Sequence, residues 1–237
     1  VPAPTIVSAP AKLTVSLRIV GVRPDGYHLI DAEMVTVDLA DELAFSPGDG
    51  LEVVGATGLA VPADDDNLVR RALRLVDRTA HVRLTKSIPA GAGLGGGSAD
   101  AAAVLRWAGF DDAERAATLG ADVPFCIRGG RARVTGIGEV LEPLDHVERA
   151  YTLVTPPFGC STPDVYRAWD DLGGPTAPGP NDLEPAALAV EPRLARWRDD
   201  LGRATGAAPV LAGSGSTWFV PGVFPEAGRV VRTVGPR

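Results

Sequence analysis

Between Pro89 and Asp100 the chain reads Pro-Ala-Gly-Ala-Gly-Leu-Gly-Gly-Gly-Ser-Ala-Asp, with five glycines in seven residues. Glycine reaches backbone conformations closed to other residues and lets a ligand come close to main-chain N–H groups. An alanine-rich run follows at once (Ala99, Ala101, Ala102, Ala103, Val104, Leu105) and predicts a helix that the loop opens. Such a helix mouth offers unpaired N–H groups and the positive end of a dipole to an anion, and the obvious anion is a phosphate. Ser98 and Asp100 are placed to cap that helix.

Two known loop types compete for this stretch. Gly91, Gly93 and Gly96 satisfy the G-x-G-x-x-G dinucleotide pattern, with Asp111, Asp112 or Glu114 at about the spacing of a ribose-binding acid. That pattern belongs after the first strand of its fold, whereas several strands come before it here and Pro89 interrupts the one directly ahead. The Walker A pattern fails because no Gly-Lys-Ser/Thr follows the glycines. Lysine is scarce elsewhere: of 23 basic residues only Lys12 and Lys86 are lysine, the rest being arginine. Lys86, just ahead of the loop, reads as an exposed lysine at a strand end.

The elements that must position these residues are mixed. Leu13, Val15, Leu17 and Ile19 alternate with polar neighbours as in a half-buried strand, with Pro10-Ala11-Lys12 at its head. Pro24-Asp25-Gly26 marks a tight turn, and 34–39, 43–45 and 51–54 read as further strands. A helix is expected over 68–76, capped by Asp66 or Asn67. A short strand over 81–85, a short helix over 113–119, a loop at 120–125 and a strand from 131 complete the first part. A new β segment starts near Tyr151, so two domains are expected, residues 1–148 and 149–237. The second holds an irregular loop over 173–181, a helix near 193–201, a glycine-serine turn at 213–216 and a strand over 218–220. Strands and helices in no strict βαβ rhythm argue for an α+β fold.

The totals exclude some classes. With 237 residues, 45% hydrophobic and 22% charged, the composition is that of an ordinary globular protein with room for a sizeable core. A net charge of −7 argues against nucleic acid as a partner, so any phosphate is held locally by a few donors. No segment approaches the roughly 18 apolar residues of a membrane span, so no membrane partner is expected. The opening residues lack the basic start and apolar run of a secretory signal, and a cytoplasmic location is expected. Cys126 and Cys160 have no metal-ligand spacing and read as buried, reduced thiols.

Four stretches taken together, Pro10-Ala11-Lys12, Pro89 to Asp100, Leu119 to Pro124 and Gly213 to Thr217, resemble the GHMP kinases, which phosphorylate small molecules with ATP. Further stretches are similar to the branch of 4-diphosphocytidyl-2-C-methyl-D-erythritol kinases within that superfamily: Arg23-Pro24-Asp25-Gly26-Tyr27-His28, Asp66-Asn67-Leu68, Gly136-Ile137-Gly138-Glu139, Ser161 to Tyr166 and Asn181-Asp182-Leu183. The resemblance runs in order from about Ala9 to Phe219.

It implies an α+β GHMP kinase fold. The N-terminal domain would be like the second domain of ribosomal protein S5, and the C-terminal one ferredoxin-like. It also implies transfer of the ATP γ-phosphoryl group to a hydroxyl of a cytidine diphosphate derivative of methylerythritol, in non-mevalonate isoprenoid precursor synthesis. ATP and Mg²⁺ are the implied cofactors. The loop Pro89, Gly91, Gly93, Leu94, Gly95, Gly96, Gly97 and Ser98 would cradle the phosphates, with Ser98 near Mg²⁺ and Asn67 near adenine. Asp122 would accept the hydroxyl proton, and Lys12 would keep that carboxylate ionised and stabilise a developing alkoxide. Tyr27, His28 and Tyr166 would hold the cytidine, with Gly213, Ser214 and Gly215 also on the substrate side.

The chain departs from the family's pattern in places. Thr14 stands where asparagine is common, the connection from Ser98 to Asp122 is short, and Ser216 replaces a common proline ahead of Trp218. The alternatives are a GHMP kinase for another alcohol such as homoserine, or a weakened nucleotide-binding relative. A homodimer is left open.

Overall fold

In the computed structural model, which describes residues 3–55 and 60–236, the opening strands are much longer than their alternating cores. β1 runs Thr5–Val22 and β2 runs His28–Ser46, paired antiparallel along almost their whole length. The 34–39 and 43–45 segments are therefore one strand. Asp38, Ala40 and Asp41 break the sequence alternation without breaking the ladder. The β1–β2 register shifts between Pro10 and Lys12. Proline has no N–H to give the ladder, and Lys12 instead donates its backbone N–H to Leu94 O at 3.1 Å, inside the glycine loop. The irregularity thus ties β1 to the loop.

β3 (Gly50–Val54), β4 (His81–Thr85), β5 (Arg131–Gly136) and β6 (Val140–Leu144) complete a six-stranded sheet ordered β3-β4-β2-β5-β6, with β1 on β2. α1 (Leu68–Leu75), α2 (Gly96–Trp107), α3 (Ala113–Ala117) and α4 (Val123–Arg128) accompany it, and α2 packs against β1, α1 and α4. Every residue of α2 from Ala99 to Leu105 is buried. Alanines on several faces let three neighbours approach closely, which fits a helix enclosed on all sides.

After β6 the chain leaves this sheet, and the expected division between 148 and 149 falls in the connection to β7 (Ala150–Val154). α5 (Thr162–Asp171), α6 (Glu184–Val190), α7 (Leu194–Thr205), β8 (Val210–Leu211), β9 (Trp218–Pro221) and β10 (Arg229–Arg232) follow. Their sheet is antiparallel in the order β10-β7-β9-β8. The tail then returns to the first sheet, where Val234 N–H donates to Thr36 O at 3.0 Å.

Three local expectations need correction. α2 begins at Gly96 behind a left-handed Gly95, with no side-chain cap, so Ser98 and Asp100 lie inside its first turns and do not cap it. The stretch read as a loop at 120–125 turns helical at Val123, with Pro124 tolerated in the first turn. β10 was not anticipated. Both cysteines are free and buried, and among the described residues no helix is long and apolar enough to cross a membrane.

Candidate active site

A cleft of about 1270 Å³ is lined by residues of both halves of the chain, among them Lys12, His28, Ser98, Asp122, Tyr166 and Ser214. That exceeds the roughly 300–1,000 Å³ of a site for one drug-sized ligand, so two ligands fit side by side. Pro89 through Ser98 form one wall without a gap. The carbonyls of this wall are used internally: Gly91 O accepts from Cys160 N–H at 3.3 Å, and Ala92 O from Thr217 N–H at 3.1 Å. The N–H groups of the first α2 turn have no intrahelical partner, and no side chain caps them. They are free to hold an anion.

Two glycines are demanded by close approach. Gly95 has φ +69°, and a Cβ there would lie 2.7 Å from Lys12 Cγ. Gly93 has φ +76°, and a Cβ there would strike the carbonyls of Ala212 and Gly215. The loop is therefore pressed between Lys12 of β1 and the 212–215 turn.

Lys12 is 6% exposed, and its ammonium lies 3.2 Å from Asp122 Oδ2. It also donates to Thr14 Oγ1 at 3.0 Å. An ammonium has three N–H groups, so donor capacity remains for a ligand, and the Thr14 hydroxyl fills part of the place of the amide common there. Asp122 stands at the N-cap position of α4 yet makes no capping hydrogen bond. Its carboxylate is free of the helix, and its side chain is 28% exposed to the cleft. The short connection from α2 through α3 does not prevent this pairing.

At another part of the cleft, His28 and Tyr166 come together with ring centroids 4.8 Å apart, and Trp169 meets His28 edge-on at 5.5 Å. Asp170 Oδ1 lies 2.8 Å from His28 Nε2, a partner from 142 residues away that sequence reading missed. Burial, with the charge of Asp122, pushes the Tyr166 hydroxyl up to about 12, so it stays a donor at neutral pH. Tyr27 lines the cleft but is 58% exposed.

The remaining expected residues divide. Asn67 lines the cleft, but its amide is engaged: Oδ1 accepts from Val69 N–H at 2.9 Å as the α1 cap, and Nδ2 donates to Pro62 O at 2.7 Å. Gly213 and Ser214 line the cleft, and Ser214 shares a hydrogen bond with Thr162 at 2.7 Å. Gly215 packs against Leu211 and Cys160, away from the lining. The turn is held from behind by Asn181, whose Nδ2 donates to Leu211 O at 2.8 Å and Gly213 O at 2.7 Å. Asp182 binds Arg18 at 2.6 Å and Ile19 N–H at 3.0 Å, joining that segment to β1. The Asn-Asp-Leu stretch stood out in the sequence, but nothing there announced this bracing role.

Lys86 overturns its expectation. It is 6% exposed and ion-paired with Asp41 and, at 2.7 Å, with Asp100. A strand-end lysine reads as exposed only while its partners, 45 and 14 residues away, are unknown. Burial pushes the Cys126 thiol up to about 12 and Cys160 to about 11, so neither is a nucleophile at neutral pH.

Residues 67–130 match the family described as GHMP kinases N terminal domain. Over 240 residues, 93% of this chain and 87% of the relative, the sequence is 40% identical to a 4-diphosphocytidyl-2-C-methyl-D-erythritol kinase of Paracoccus denitrificans. A crystal structure of a 4-(cytidine 5'-diphospho)-2C-methyl-D-erythritol kinase superposes with a TM-score of 0.78 at 34% identity, covering 98% of this chain and 99% of that one. A homoserine kinase from Cytophaga hutchinsonii reaches a TM-score of 0.61 at 18% identity over 99% of this chain and 96% of its own, a likeness of fold alone.

Proposed function

The chain belongs to the 4-diphosphocytidyl-2-C-methyl-D-erythritol kinases of the GHMP superfamily, and on that premise we propose that Lys12 and Asp122 carry the phosphoryl transfer in the cleft. The activity is ATP-dependent phosphorylation of a small alcohol in isoprenoid precursor synthesis. The observation that carries the assignment of roles is the 3.2 Å pair of Lys12 and an uncapped Asp122, set beside a helix mouth with free N–H groups.

Asp122 accepts the proton of the acceptor hydroxyl as its oxygen attacks the γ-phosphorus. The adjacent Lys12 ammonium favours the ionised carboxylate and opposes charge building on the attacking oxygen. The loop from Gly91 to Ser98 orients the phosphates through backbone N–H groups, and positioning is the larger part of catalysis for this reaction class. Ser98 and Asp122 offer the hard oxygen donors that Mg²⁺ takes, and the ion when bound supplies neutralisation of phosphate charge. The cytidine is held where His28 and Tyr166 meet, with Tyr27 as an exposed second aromatic face. Residues 1–148 on this reading carry the phosphate loop and the reacting pair, and residues 149–237 complete the substrate side through Tyr166, Gly213 and Ser214. Asn67 stands beside the nucleotide as a wall, its amide occupied by the helix cap.

ADP release with purified protein, ATP, Mg²⁺ and a panel of alcohols tests the reading. Turnover is expected with the cytidine diphosphate substrate and not with homoserine, and Asp122→Asn is expected to lose most of it. Turnover with homoserine alone overturns the substrate, and full activity in the variant overturns the base.

A further inference from the structure

Lys86 follows β4 directly, its side chain lies beneath the glycine loop, and no step above uses it. Its ammonium pairs with Asp41 of β2 and Asp100 of α2, and all three residues are buried. Two carboxylates face one ammonium, which leaves one negative charge uncompensated. The donors are shared unequally. Asp41 also accepts from the backbone N–H groups of Ser87 and, at 2.8 Å, Ile88. Asp100 receives Lys86 on Oδ2, while its buried Oδ1 has no hydrogen-bond partner among the described residues. Lys86 and Asp100 both line the cleft, and Lys86 Nζ comes within 3.3 Å of where a Cβ on Gly96 would sit.

The surplus charge therefore lies under the backbone assigned to the ATP phosphates, in a site water does not reach. Carboxylates crowded in such a site do not all keep their charge as more anionic charge arrives, and a proton is the smallest neutraliser. We propose that Asp100 takes up a proton from solvent as ATP enters the glycine loop, so that nucleotide binding and neutralisation of the surplus carboxylate are one linked event. This rests on the reading that the loop holds ATP. The buffer acid loses the proton and an oxygen of Asp100 gains it, while no bond of ATP changes.

The surroundings support that direction. β1 brings Lys12, and α4 brings Asp122 and the neutral Cys126 thiol. On α1, Arg70 and Arg74 turn outward to Asp65, and Arg71 reaches the Thr118 carbonyl. Arg106, on α2 itself, donates to the carbonyls of Cys126 and Ser8. Burial raises the Asp100 carboxyl to about 7 against the opposing charge of Lys86, with the Asp41 charge adding to the rise. A group poised there is part-protonated near neutrality, and added phosphate charge moves it toward the protonated form. Linkage makes the effect reciprocal: ATP affinity falls by up to about tenfold per pH unit above ~7.

Calorimetric titration with Mg²⁺ and a non-hydrolysable ATP analogue, at about pH 7.5 in buffers of low and high ionisation enthalpy, counts the protons taken up. The wild-type protein is expected to take up roughly half a proton to one proton more than Asp100→Asn. Equal counts overturn the proposal. Asp41→Asn removes the surplus charge while leaving Asp100 in place, so its count is expected to fall too, and an unchanged count also overturns it. An analogue that gives no binding heat with wild type in either buffer overturns the ATP reading, and this proposal with it.

Discussion

Lys12 and Lys86 are each 6% exposed, yet one faces a carboxylate that solvent reaches and the other is enclosed by carboxylates it does not reach. The side chain of Asp122 is 28% exposed, against 0% for Asp41 and 4% for Asp100. An ion pair open on one side keeps donors and lone pairs for a reactant. A closed cluster spends most of them on holding elements together, here β2, the end of β4 and α2. Burial alone thus does not separate a reacting lysine from a bracing one; the accessibility of its partner does.

The largest effect expected from this contrast is on turnover. Asp122→Asn should lower kcat by about 10²–10⁴-fold, the usual span for removing a general base, while shifting the melting temperature by no more than about 2 °C. Lys86→Met should do the reverse. Stripping the ammonium leaves two buried carboxylates unpaired, and breaking a buried pair costs about 3–5 kcal/mol. Denaturant unfolding beside steady-state kinetics reads both. The contrast breaks if Lys86→Met unfolds at the wild-type midpoint, or if Asp122→Asn loses as much stability as Lys86→Met.

A smaller effect sharpens the closed side of the comparison. The Asp100 carboxyl is raised from 3.8 to about 7 by burial. A carboxyl raised in the folded state binds its proton more tightly there than when unfolded. Its stabilising contribution is therefore full below about pH 4 and lost as pH rises through about 7. Between those limits wild type should lose roughly 2–4 kcal/mol that Asp100→Asn does not lose, seen as the pH dependence of the difference in unfolding free energy. A difference that stays flat with pH removes the buried charge from the account.

How much of this was legible in the chain follows the range of the interactions. The glycine loop, the helix behind it and the candidates Lys12 and Asp122 lie in short stretches whose residue types carry their own chemistry. The pairing of Lys12 with Asp122, 3.2 Å apart, follows from the resemblance and from no local spacing. The unity of β2 was hidden because Asp38 and Asp41 sit where alternation calls for other residues, and Asp41 faces inward only because Lys86 meets it. Lys86 was misread for the same reason. Asn181 was visible as a motif, but its work on the Leu211 and Gly213 carbonyls depends on a turn that sequence places some 30 residues on. In each miss the deciding partner is distant in the chain, and polar burial is legible only when both partners are seen.

The open side has a weaker case in His28 and Asp170, 2.8 Å apart, where the Asp170 side chain is 51% exposed and the His28 side chain 9%. A carboxylate accepting from His28 Nε2–H leaves Nδ1 as an acceptor, suited to an amino N–H on a base edge. Solvent screens an acid this exposed, so the contact is worth no more than about 1 kcal/mol. Asp170→Asn should raise KM for the cytidine substrate about three- to fivefold and leave kcat within about twofold, because His28 meets the base and not the reacting hydroxyl. Asparagine presents either an acceptor or a donor to Nε2, so the variant should also discriminate less between cytidine and uridine analogues. A fall in kcat with KM unchanged would place Asp170 with the reacting pair instead, and the aromatic end of the cleft would then no longer be separate from the phosphate end.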